Sequence, residues 1–192
     1  MTSFDGKNSL GGSVGTEGAT FIEAAANSDD PRASDAGRAL MRFFNERTNG
    51  QRLLTREDFS PVDIKPYLPN VLLTDIKYGT DGKVCDAVVR LMGSSAANFY
   101  GEYTGRSVLE HPSRSGQRFI QAVQRAVDNR CAVISHIREA DPYRPFLRAV
   151  TCVVPITEDG ENIVQTLVHV QLYTHLDEEF EEPTFTLHPP KL

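Results

Sequence analysis

Residues 71–92 read VLLTDIKYGTDGKVCDAVVRLM, and this stretch decides the fold. Two apolar runs flank Gly79-Thr80-Asp81-Gly82. Asp-Gly between such runs marks a tight hairpin turn, because Gly takes a left-handed backbone there at no steric cost. The reading is therefore two antiparallel strands, 71–78 and 84–92. On the second, alternation puts Cys85, Ala87, Val89 and Leu91 on one face and Asp86, Val88, Arg90 and Met92 on the other.

Downstream of the hairpin, residues 93–100 read as a short helix ended by Gly101. Ser113 is placed to cap a longer helix over 114–128. Its apolar stripe is Phe119, Ile120, Val123, Ala126 and Val127; Arg118, Gln121, Gln124 and Arg125 are expected to face water. Three strands follow, at 132–139, 146–154 and 163–173, with turns at 141–145 and 158–160. Upstream, Ser34 caps a helix to about Thr48, with Gly50 as its stop. Ser60-Pro61-Val62-Asp63 reads as the start of a short helix limited by Pro66 and Pro69. The sum is an α+β domain: a five-stranded antiparallel sheet with helices on one face.

The last strand carries Val164, Thr166, Val168, Val170 and Leu172 on one face, and Ile163, Gln165, Leu167, His169, Gln171 and Tyr173 on the other. The second face is half apolar and needs a cover. Leu40, Phe43 and Phe44 give the N-terminal helix a matching stripe. The expectation is that this helix docks on the outer face through Leu40, Phe43, Phe44, Leu167 and Tyr173, with dimerisation.

The element order is that of a PAS domain. Ser95-Ala96-Ala97-Asn98-Phe99-Tyr100-Gly101-Glu102-Tyr103-Thr104-Gly105-Arg106-Ser107 resembles the PAS pattern of a short helix, a Gly-Tyr-Thr-like turn and Gly-x-Ser. His111-Pro112 resembles the frequent PAS His-Pro. Phe59-Ser60-Pro61-Val62-Asp63-Ile64-Lys65-Pro66-Tyr67-Leu68-Pro69, with Val89-Arg90-Leu91-Met92-Gly93, looks like a stand-alone PAS-like subfamily widespread in alphaproteobacteria. The resemblance covers roughly residues 38–175. It implies sensing of small molecules, cofactor binding or signalling contacts, since one fold hosts all three. Flavin-cysteinyl light sensing needs a Cys after the short helices, and residues 102–110 contain none. Haem binding commonly takes a His from the long helix, and residues 114–128 contain none; His111 stands just before it.

The chain has 192 residues and a formal net charge of -6. Residues 1–30 hold one Lys against Asp5, Glu17, Glu23, Asp29 and Asp30, a net -4; residues 176–192 are also -4. The centre is therefore +2, and 15 of its 18 basic residues are Arg. The domain reading is a disordered arm over 1–33, a PAS-like domain over 34–175 and an acidic tail over 176–192. The acidic balance argues against nucleic acid as a partner. The Arg excess leaves an anionic ligand open in the folded part.

Cys85, Cys131 and Cys152 are an odd number without a CxxC pair, so they read as reduced thiols. The five His are scattered, none three or four residues from another, which gives no support to a metal site. No secretion signal or bilayer-length apolar run is visible, so the expectation is a cytoplasmic protein without membrane insertion. No nucleophile elbow or phosphate loop occurs, so no catalytic residue is assigned. Arg114 and Arg118 resemble the Arg-x-x-x-Arg grip of PilZ domains on cyclic dinucleotides, but the downstream half of that motif is missing.

The candidate ligand or interface residues are Arg90, Tyr100, Phe119, His136, Arg148 and His169. The functional expectation is a non-catalytic bacterial PAS sensor or adaptor. It would act through contacts with signalling proteins as a homodimer, in motility or cell-cycle regulation as the resemblance implies. The alternatives are a sensor of an anionic metabolite or nucleotide messenger, and a small cone-shaped α+β enzyme with an acid/base pair in an apolar pocket.

Overall fold

The computed structural model of the protein describes residues 13–14, 19–24, 30–138, 140 and 146–174. In chain order the elements are β1 (Ser13–Val14), β2 (Ala19–Ala24), α1 (Asp35–Thr48), β3 (Leu54–Thr55), β4 (Val71–Tyr78), β5 (Val84–Met92), α2 (Ser94–Tyr100), α3 (Ser115–Asn129), β6 (Ala132–Ile137), β7 (Arg148–Thr157) and β8 (Ile163–Tyr173). The strands form one sheet in the order β1-β2-β6-β7-β8-β4-β5, with β3 paired off this path to β7. β3 runs parallel to β7, and every other pairing is antiparallel. This is a mixed α+β architecture.

Local chemistry explains the helix ends. Ser34 Oγ accepts the Gly37 N–H at 3.1 Å, which satisfies one orphan donor of the first turn of α1. Asn49 turns left-handed at φ 51° and closes that helix. α3 begins at Ser115, one residue later than read from sequence, although Ser113 Oγ still accepts the Ser115 N–H at 3.2 Å.

Several expectations change. Within the stretch read as a disordered arm, residues 13–14 and 19–24 are strands, and β2 pairs with β6 from Ala19↔Ile137 to Ala24↔Ala132. The composition signal misses this because β2 is paired to β1 and β6 by backbone groups, which composition does not report. Residues 60–67 form turns rather than a helix; Asp63 Oδ2 accepts the Ser60 N–H and hydroxyl and holds the chain there. The turn expected at 141–145 and the acidic tail at 176–192 lie outside the described residues.

The strand alternation is interrupted in three places. The β4–β5 register shifts between Leu73 and Thr74 and between Lys77 and Tyr78, which leaves Arg90 and Cys85 as extra residues of β5. The β7–β8 register shifts between Ile156 and Thr157, which makes Val164 extra on β8. A bulge moves every later side chain to the opposite face. Hence Leu91 and Val89 do not share a face, and Ile163 joins Val168 and Val170 on the face opposite Leu167.

Each sheet face has its own core. On the inner face, Ala122, Val123 and Ala126 of α3 pack on Val133, Val153 and Val168. On the outer face, Leu40, Met41 and Phe44 of α1 pack with Ile134, Cys152, Val154 and Leu167, while Phe43 and Tyr173 are partly buried against them. α1 thus lies over the half-apolar outer face. Gly105 N–H donates to Val89 O at 2.8 Å and Val89 N–H to Arg106 O at 3.0 Å, so the segment before α3 closes the β5 edge.

Candidate functional site: an apolar cavity between α3 and the sheet

The inner face and α3 do not meet everywhere. Between them lies a cavity of about 80 Å³. Its sheet wall is mainly Leu72, Val89, Val153, Val168 and Val170; its helix wall is Gly116, Phe119 and Ala122. Gly116 is the point of closest approach, since a Cβ there would stand 2.2 Å from Val108 O. The backbone of α3 therefore lies directly against the short helical turn Val108–Glu110, and Ser115, Arg118 and Phe119 near Gly116 border the cavity.

The polar lining sits in two places. One is a rim of Tyr100, Tyr103, His111, Ser115 and Arg118. His111 is held there by two rings and by Ser113, whose backbone N–H and Oγ both lie within hydrogen-bond distance of Nδ1. Tyr100 meets it edge-on at 5.7 Å, and Tyr103 lies tilted to it at 43° and 5.4 Å. The Ser113 N–H donates to His111 Nδ1 at 3.2 Å, so in the neutral ring the proton is on Nε2. Tyr103 is stacked in turn by Arg106, whose guanidinium lies 4.6 Å from the ring centre. The other place is the sheet itself, where Ser135 and Thr151 are register partners and both line the cavity.

Of the six residues expected to form one site, Tyr100 and Phe119 line the cavity. The other four lie elsewhere. Arg90, at the bulge, is exposed and pairs with Asp75 at 3.0 Å. His136 faces the outer side, and its Nε2–H donates to Arg32 O at 2.7 Å. Burial depresses its basicity. Arg148 pairs in register with Tyr173 at the start of β7, on the outer side. His169 is 1% exposed under Tyr67, and burial holds its pKa down to about 4. The single site therefore divides between the two faces of the sheet. The Arg pair also divides: Arg118 lines the cavity, and Arg114 lines an adjoining cleft of about 410 Å³ that shares His111 and Gly116 with it.

Sequence reasoning assigns no role to Tyr103, Ser115, Ser135 and Thr151, and it raises His111 only against haem and Arg118 only in the Arg pair. Arg118 was assigned to water because a wheel of α3 puts it off the apolar stripe. The signal for Ser135 was present: a hydroxyl inside the apolar run 132–137 is out of place on a buried strand.

At about 80 Å³ the cavity has room for a molecule of a few heavy atoms, far below the 300–1,000 Å³ of drug-sized sites. Among the described residues no group of three His, Cys, Asp or Glu is arranged to hold a metal ion, and no helix is long and apolar enough to cross a membrane.

No family model matches the chain, and no curated protein matches its sequence. Among solved structures it is similar to an RNA-binding light-oxygen-voltage receptor, with 13% identity and a TM-score of 0.37. The overlap takes in 59% of this chain and 33% of that receptor.

Proposed function

We propose that this chain is a non-catalytic sensor module of PAS type that binds a small molecule between α3 and the sheet and passes the signal on by protein–protein contact. The observation that carries this reading is the cavity: apolar walls, an aromatic and polar rim, and a helix laid against it at Gly116. A ligand that touches both α3 and the sheet changes how they pack, which is how a binding event becomes a conformational one. Self-association was expected because the outer face needed a cover. With α1 seated there, the sheet itself supplies no reason for a dimer.

The test is a thermal-shift screen of small uncharged and anionic compounds on the full chain and on Ala122→Leu, which fills the cavity. Compounds that raise the melting temperature of the parent chain and leave Ala122→Leu unmoved support the reading. Equal shifts in both chains, or no stabilising compound, overturn it.

A further inference from the structure

On the inner face the side chains fall into rows across the sheet. Val133, Val153 and Val168 form one row, and Ile137, Ala149 and Leu172 another. Between them runs Ser135, Thr151 and Val170. Two hydroxyls are thus inserted between two wholly apolar rows, on the wall of the cavity. Ser135 is 2% exposed, and its Oγ has no hydrogen-bond partner among the described residues. Elsewhere on the same face the chain treats hydroxyls differently. Thr74 and Thr166, both 0% exposed, hydrogen-bond each other at 2.8 Å. A buried hydroxyl without a partner costs more than an apolar group of the same size, so an unpaired one bordering a cavity calls for a partner from outside the chain.

We infer that Ser135 is the polar contact of the ligand, and that the ligand is a small uncharged molecule with an apolar body and one hydrogen-bonding oxygen. This rests on the sensor reading above and deepens it. The apolar body fits the valines of the flanking row. The oxygen at Ser135 is uncharged because the sheet wall there offers hydroxyls and no charge, while the Arg118 cation of the lining stands on the α3 side; a carboxylate buried against the sheet loses more solvation than one or two hydroxyls return. A water molecule is the competing occupant, since the space is large enough to hold one.

The experiment compares butanone with its hydrocarbon counterpart 2-methyl-1-butene, and with butyrate, by NMR chemical-shift titration of the full chain and of Ser135→Ala. Ser135→Cys, nearly isosteric, is the second variant. The expected result is that Ser135→Ala weakens butanone about 2- to 10-fold, the size of one neutral hydrogen bond, and leaves 2-methyl-1-butene unchanged. Ser135→Cys falls between. Butanone and hydrocarbon binding with equal affinity to both chains overturns the role of Ser135 while the cavity reading stands; Ser135 then holds water or nothing. Butyrate binding ahead of butanone overturns the uncharged class. If no probe binds, both readings fall together.

Discussion

Tyr67 stands edge-on to the buried ring of His169, with ring centroids 6.4 Å apart and planes at 86°. Burial disfavours the imidazolium and holds the pKa of His169 down to about 4, against an ordinary 6.5. Between these values the unfolded chain takes up a proton that the folded chain refuses. Stability is therefore intact above pH 6.5 and falls as the pH drops toward 4, by roughly 3 kcal/mol at most from this group. Urea unfolding at pH 7 and pH 4.5 should show a smaller loss in His169→Leu than in the parent chain. Equal losses would mean that the ring is not the source.

Gly116→Ala should destabilise the protein although it lies inside a helix. Helix propensity alone favours Ala by about 1 kcal/mol. Here the added Cβ would meet Val108 O at 2.2 Å and Val108 C at 2.9 Å, both backbone atoms. The helix must then move off the Val108–Glu110 turn, at a net cost of roughly 1–3 kcal/mol. A denaturation midpoint at or above that of the parent would contradict the packing at this point.

Asp58 gathers four donors. Its carboxylate accepts from Thr55 N–H and Thr55 Oγ1, and from both terminal nitrogens of Arg52 at 2.7 and 2.6 Å. Hydrogen bonding from Arg52, foremost among these, holds the carboxyl well below the usual range. Asp58→Ala should cost about 1–2 kcal/mol at neutral pH, and the difference should shrink as the pH falls below about 4. A pH-independent difference in unfolding free energy would argue against a role for the charge.

Arg90→Ala, by contrast, should change stability by less than about 1 kcal/mol. The ion pair with Asp75 is 3.0 Å long, but the Arg90 side chain is 63% exposed and water screens it. Binding of any probe in the cavity should also be unaffected. A loss of binding in Arg90→Ala would place this side chain nearer the ligand than the bulge does.

The course of the chain was legible because the hairpin at 79–82, the cap at Ser34 and the apolar runs are local signals. The faces were less legible. Bulges at Cys85, Arg90 and Val164 arise from the coiling of a sheet against its neighbours, and no period-two count along one strand detects them. Hence a period-two count puts Leu91 with Val89 and Ile163 on the outer face, against the bulged registers. The site was legible in its aromatic members, Tyr100 and Phe119. Arg118 was lost because a helical wheel measures apolarity and does not see which flank borders a gap. His136 and His169 are polar residues on strands and so read as site candidates, but both face the outer side, where His136 bonds Arg32 O and His169 packs under Tyr67.

The three thiols record how deep each layer lies. Cys85 is exposed at a bulge, Cys131 is half-buried, and Cys152 is buried beneath α1 with its thiol pushed up to about 12. Since the thiolate is the reacting species, Cys152 stays silent toward alkylating reagents while α1 remains seated. The chain thus carries an intrinsic clock for lifting of that helix. Modification of Cys85 marks time zero, and modification of Cys152 counts the openings of the outer layer.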